Sequence, residues 1–230
     1  MEKVKQPGGF PRIGRVSVSC LGVFAVSGLA SGAVVVSDTE MADDHWSVVS
    51  YTQSSGGTSA GSQSLTGGNA GAFRTVVNTI NSGGLIVGAH IHDDAAWNPG
   101  TMGALTSLDF SIDVRYISPF PGGDGQAFGL AAVQDGRVFY ASYDLTGSVA
   151  EWTTFSVSDV VLEDFLAWDG GADIDADGSE ITFGFYVANS STGTPYGRTA
   201  GYDNFLVTLI PAPAGSVVLG AGLIAVRRRR

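Results

Sequence analysis

The sequence predicts an all-β protein: an antiparallel β-sandwich of jelly-roll type, flanked by an N-terminal signal helix and a C-terminal hydrophobic helix. Three observations carry this. Apolar and polar residues alternate with a period of two in run after run, which is the spacing of half-buried strands. Clusters of Gly, Ser, Asn and Asp separate these runs, and the 33 glycines, about twice the usual share, follow no collagen-like period and so mark tight turns. The uncharged apolar stretches long enough for a helix lie at the two ends.

The folded domain is expected over residues 34–209, with roughly nine or ten strands. The stretch SSGGTSAGSQSLTGGNAGAFR (54–74) reads as a first hairpin with glycine turns, because Phe73, Val76 and Val77 resume a strand at once. LIVGAHIH (85–92) is a second strand candidate after AFRTVVNTI (72–80). SLDFSIDVRY (107–116) alternates strictly, placing Leu108, Phe110, Ile112, Val114 and Tyr116 on one face and Asp109, Asp113 and Arg115 on the other. In AFGLAAVQDGRVFYASY (127–143), Asp135-Gly136 between two apolar runs is a strong hairpin signal. EWTTFSV (151–157), EITFGFYV (180–187) and YDNFLVTLI (202–210) complete the set. Between them SDVVLEDFLAW (158–168) is the one internal segment that also fits a helix. No repeat of 20 to 50 residues appears, which argues against a propeller or solenoid.

Hydrophobic residues make up 44% of the chain, enough to bury a core at this size. Charge is divided sharply. Lys3, Lys5, Arg12 and Arg15 stand at the front and Arg227 to Arg230 at the back, while residues 34–226 hold 21 acids against 4 bases, a net of −17. Such a field repels nucleic acid, so no nucleic-acid partner is expected.

The N-terminus has a secretory plan: a basic region, an apolar stretch over Val16–Leu29, then Ser31 and Ala33 at the spacing signal peptidase requires. Cleavage is expected after Ala33, giving a signal peptide of residues 1–33. The lone cysteine, Cys20, lies within that stretch, so the mature domain is expected to fold without disulfides. At the other end, Pro211 and Pro213 precede 13 uncharged residues, Ala214–Val226, and then Arg227, Arg228, Arg229 and Arg230. Thirteen residues span about 20 Å as a helix, short of a ~30 Å hydrocarbon core. The arginines would stay on the cytoplasmic side of a transiently inserted segment.

A proline doublet, a short apolar helix and a terminal arginine cluster over residues 210–230 resemble the PEP-CTERM sorting signal, with Ala212 where the family name has glutamate. The resemblance implies an exosortase-type processing protease as partner, transient inner-membrane insertion, and transfer to the cell surface or extracellular matrix. GGNAGAFR, GALTSLDFSIDV and GYDNFLV are in turn similar to segments of exported bacterial jelly rolls, including carbohydrate-binding and laminin-G-like sandwiches. That implies a fold, with function only loosely attached.

Three constellations could carry chemistry. DIDADG, with Asp173, Asp175, Asp177 and nearby Glu180, has the alternating acids of a calcium loop but lacks the glutamate an EF-hand needs at its twelfth position, here Gly184. Ca2+ is the one cofactor it suggests, against a solvated acidic turn. HIHDD puts His90 and His92 on one strand face, a start for a zinc or transition-metal site; Ala95 stands where metallo-hydrolases carry a further histidine and His45 is the other one available, so an exposed strand pair is the expectation. For stacking on sugar, Trp97, Trp168 and Tyr196 sit in turn-rich contexts, whereas Trp46 and Trp152 read as core.

No catalytic residue is identified. The paired glutamates of a retaining glucanase, a Gly-x-Ser-x-Gly elbow and a phosphate-binding loop are all missing. The first reading is therefore a non-catalytic structural or adhesive surface protein. A glycan-binding, lectin-like module, aided by calcium, is the alternative, and a secreted glycoside hydrolase the third.

Overall fold

A computed structural model describes residues 32–117, 126–141 and 150–213. They form two antiparallel sheets packed face to face, twelve strands in all among the described residues, with no helix beyond single turns. The expected signal helix, the C-terminal apolar helix and Arg227 to Arg230 lie outside the described residues. Within those residues no helix is long and apolar enough to cross a membrane.

The first sheet runs β3 (Gly57–Ser64), β4 (Phe73–Ile80), β12 (Tyr196–Pro211), β6 (Leu105–Tyr116) and β9 (Thr153–Val160), with β1 (Val34–Asp38) also on β12. The second runs β10 (Phe165–Ala167), β8 (Arg137–Ala141), β7 (Ala127–Gln134), β11 (Ile181–Ser190), β5 (Gly84–Trp97) and β2 (Trp46–Ser54). The Asp135-Gly136 turn joins β7 to β8 with both residues at positive φ, 51° and 77°, the backbone a tight two-residue hairpin demands. The GT…QS stretch hairpins onto β4, as the glycine turns suggest. SDVVLEDFLAW is not a helix. It ends β9, turns once through a 3-10 segment at Leu162–Asp164 and begins β10, because Phe165 must reach the core while Leu166 faces out.

The core lies between the sheets. Leu108, Phe110, Ile112 and Val114 of β6 face Phe183, Phe185 and Val187 of β11, all essentially inaccessible to solvent. Phe185 stacks on Tyr202 at 4.6 Å, and Trp46 meets Phe205 edge-on at 5.0 Å. Aromatic pairs of this kind add to the area they bury. Trp152, which reads as core in the sequence, is not core; it lies half-buried over Phe73, its indole N–H donating to the Gly67 carbonyl at 3.1 Å.

One bulge organises the first sheet. Opposite β6, Asn204 and Phe205 take the place of one residue, with Asn204 at φ 50°. There β12 changes its second neighbour from β4 to β1. The GGNAG turn docks into this break: Asn69 N–H donates to Asp203 Oδ2 at 2.6 Å, and the Asn69 and Asn204 side-chain amides both donate to Asp113 Oδ2 at 2.7 Å. The two buried acids respond differently. Burial opposes the Asp113 charge, but hydrogen bonds from Asn204, Thr154 and Asn69 outweigh it and hold its carboxyl below the usual range. Burial pushes Asp203 up to about 6, with Asp113 and Asp38 adding to the rise despite the N–H donors of Asn204 and Asn69.

The unfolded chain ionises Asp203 near pH ~3.9, so the folded protein keeps a proton the unfolded chain gives up. The stabilisation from this group is complete below about pH 4 and is lost as pH rises through 6, by roughly 3 kcal/mol at most. Carbon-13 NMR titration of the Asp203 carboxyl is expected to give a midpoint near 6, as that shift requires. A midpoint below about 4 would contradict it.

Candidate functional site

The second sheet has two apolar faces. On β11, Phe183, Phe185 and Val187 point into the core, while Tyr186 and Ala188 point the other way. The neighbouring strands continue that outer face with Val87, Ala89 and Ile91 of β5, Ala131 of β7 and Val138 of β8. Four rings cover it: Tyr186 at its centre, half-buried Tyr51 from β2 and Tyr140 from β8, and half-buried Trp168 just after β10. Trp168 lies 4.3 Å from Tyr140, 5.8 Å from Tyr186 and 6.5 Å from Tyr51 between ring centroids.

Tyr51 and Trp168 belong to opposite edges of a six-stranded sheet. Flat strands ~4.8 Å apart would hold those edges more than about 20 Å from each other. Their rings meet, and β2 approaches β8 directly, so the sheet is strongly concave on this side. Small residues permit the curvature. Gly129 pairs with Tyr186, and a Cβ there would lie 2.9 Å from the Tyr186 ring. Desolvation, with Tyr140 beside it, pushes the Tyr186 hydroxyl up to about 12, so it remains a neutral donor. The Trp168 indole N–H, closed off from water, has no acceptor among the described residues.

Of the sugar-stacking candidates in the sequence, Trp168 is on this face. Trp97 is not; it is fully buried, with its indole N–H donating to the Gly103 carbonyl at 2.9 Å. The strand runs further than the turn-rich sequence around Trp97 suggests, and Trp97 still pairs with Ile181. The turn begins at Asn98, whose side chain accepts from Gly100 N–H. Tyr196 opens β12 in the first sheet, its hydroxyl donating to the Ser190 carbonyl, away from the four rings. Tyr51, Tyr140 and Tyr186 are missed by sequence reasoning. For Tyr140 and Tyr186 the signal is a tyrosine one residue out of phase with a phenylalanine on a strand apolar on both faces; Tyr51, on a mostly polar strand, carries no such signal.

The histidines are not an exposed strand pair. His90 is buried against Phe185 at 5.0 Å, and burial with the Arg74 charge beside it lowers it to about 3, so it stays neutral. His92, 3% exposed, begins an irregularity in which β5 carries four residues, His92–Ala95, where β11 carries only Phe183. Bulges of this sort re-aim side chains. His92 Nε2 comes 3.5 Å from Asp38 Oδ2, and His45 Nδ1 also lies 3.5 Å from that oxygen. This is a three-residue group whose ligating atoms all lie within 4.8 Å of one another, the sole such group among the described residues. It borders a pocket of about 410 Å³ that Glu40 and Asp94 also line. Asp173, Asp175, Asp177 and Glu180 do not converge in this way. Asp175 instead closes its own turn, accepting from Asp177 N–H at 3.1 Å, and Gln134 grips its backbone N–H and carbonyl.

No protein-family model and no curated protein matches the chain. Among solved structures it is similar to a family 11 carbohydrate-binding module from Clostridium thermocellum in complex with a β-1,3-1,4-mixed-linked tetrasaccharide. That match has 18% identity and a TM-score of 0.46 and covers 80% of this chain and 98% of that one. It is also similar to the CBM22-1 xylan-binding domain of Paenibacillus barcinonensis Xyn10C, at 10% identity and TM-score 0.43, covering 80% and 99%. A protein of unknown function from Shewanella oneidensis MR-1 matches at 12% identity and TM-score 0.43, covering 83% and 92%.

Proposed function

We propose that this chain is an exported glycan-binding module that holds a polysaccharide on the concave face of its second sheet. The observation that carries the reading is the group of four rings, Tyr51, Tyr140, Trp168 and Tyr186, over an apolar floor of alanine, valine and isoleucine. Pyranose rings present apolar C–H faces, and flat aromatic side chains in a concave, mostly apolar site with a few polar tips suit them. The tyrosine hydroxyls supply those tips. A purely structural or adhesive role gives no reason for half-exposed rings on a sheet's outer face, so the glycan reading takes precedence over it.

The acidic charge of residues 34–226 favours neutral over anionic polysaccharides, since a like-charged ligand would be repelled. Export past a signal peptidase and sorting by an exosortase-type protease belong to the same proposal and rest on the sequence of the two ends. In that account Pro211, which closes the ladder of β12 opposite Leu105, marks where the folded module stops and the sorting segment begins.

Affinity electrophoresis of the purified protein through gels containing neutral polysaccharides (β-glucans, xylans, mannans) is expected to retard the wild type in at least one. Trp168→Ala is expected to weaken that retention about 10-fold or more, the cost of truncating an aromatic hot spot. Trp152→Ala, in the first sheet's periphery, should leave it unchanged. Loss with chelator that Ca2+ alone restores would bring in the Asp173–Asp177 loop. No retention in any gel would remove the glycan reading, and release of reducing sugar would replace it with hydrolysis.

A further inference from the structure

We propose that Asp38, His45 and His92 form a binding site for a late first-row divalent metal ion, with Zn2+ the best fit. The donor set comes first. Two imidazoles and one carboxylate suit Zn2+, Co2+, Ni2+ or Cu2+, whereas Ca2+ and Mg2+ take oxygen donors almost throughout. Spacing comes second. Ligands on bonds of ~2.0–2.1 Å to a tetrahedral ion stand about 3.3 Å apart, and Asp38 Oδ2 lies 3.5 Å from both His45 Nδ1 and His92 Nε2. All three ligand atoms lie within 4.8 Å of one another, so an ion drawn into this gap would close the ring-to-ring distance by at most about 1.5 Å.

The carboxylate is already oriented. Asp38 Oδ1 accepts from the N–H groups of Glu40 and Met41, at 3.0 and 2.6 Å, and Oδ2 accepts from the Trp46 indole at 2.9 Å. Oδ2 keeps a second lone pair for the ion. Burial opposes its charge, but the donors of Met41, Trp46 and Glu40, with the His92 field, hold the carboxyl below the usual range. The His92 pKa is lowered mainly by burial, partly offset by Asp38 and Asp94.

His92 Nδ1 accepts from Asp94 N–H at 3.2 Å, which leaves its proton on Nε2 facing Asp38. Metal at Nε2 moves that proton to Nδ1 and gives up this contact. The Asp94 carboxylate lines the same pocket, and outer-shell carboxylates commonly take that proton's hydrogen bond from ligating histidines. The pocket, about 410 Å³, leaves room for a water as fourth ligand. His92 faces the interior between the sheets, while Val87, Ala89 and Ile91 of the same strand face the concave side. The metal site and the aromatic face are therefore on opposite sides of β5 and can be tested separately.

The test uses the full chain without an affinity tag, stripped with EDTA. Titration with Zn2+ followed by calorimetry is expected to show one equivalent bound and a higher melting temperature, while Ca2+ and Mg2+ leave it unchanged. Co2+ is expected to give the intense visible absorption of a four-coordinate ion. His45 has a half-exposed side chain, so His45→Ala should fold with the wild-type apo melting temperature. It should lose Zn2+ affinity by more than the roughly 10-fold that removal of an outer-shell partner costs. His90→Ala is no control, because that ring packs in the core; Asp173→Asn is, and should bind Zn2+ as the wild type does. Absence of Zn2+ binding, equal binding by His45→Ala, or a site that prefers Ca2+ would each overturn the proposal.

Discussion

The structure depends on a mismatch between two paired strands. Between its pairings at Ile91 and Ala96, β5 carries four residues to one in β11. At the same place Gly184 presses so closely on the His90 carbonyl that a Cβ would lie 2.0 Å from it. Extra residues on one strand bend it and tighten its twist. On one side of this strand the sheet is concave, and Tyr51 and Trp168 meet over it. On the other, His92, still in register with Trp46 of β2, reaches Asp38 at the end of β1, and Asp94 borders the same pocket. The two candidate sites therefore lie back to back on β5.

The first sheet holds its shape by a second irregularity, the Asn204 bulge in β12. There a strand exchanges one neighbour for another, and the exposed backbone has to be paired off. The GGNAG turn does this by way of Asp113, Asp203 and Asn204. The network holds two acids whose environments push them apart, one stabilised as a carboxylate and one as a carboxylic acid. A pair tuned in this way holds a single negative charge in mildly acidic solution and takes on a second as pH rises through about 6.

Much of the fold was legible because period-two alternation reports one buried face directly, as in β6, where Leu108, Phe110, Ile112 and Val114 all reached the core. What sequence could not convey was curvature. Trp97 looked exposed because turn residues follow it, yet β5 continues past its bulge and carries the ring inside. Tyr186 drew no notice beside Phe185, yet one residue of register places it on the opposite face, among the rings of the concave side. Asp38 and His92 lie 54 positions apart, and nothing in the spacing of HIHDD or SDTE joins them. The pairing of β1 on β12 and the packing of one sheet on the other do that, with Phe205 lying opposite Asp38 and against His92, and such long-range contacts leave no dependable mark in sequence.

Glycan binding by this protein depends on its concave face. The four tryptophans give it a built-in reporter, since Trp46 and Trp97 are core, Trp152 caps the GGNAG turn and Trp168 lies among the tyrosines. The measurement is a nitrogen-15 NMR titration of the indole N–H signals with a soluble oligosaccharide of a neutral glucan or xylan that retards the protein. The account predicts that the Trp168 signal shifts while those of Trp46, Trp97 and Trp152 hold still. Movement of the Trp152 signal with Trp168 unmoved would place the ligand on the other sheet and contradict it.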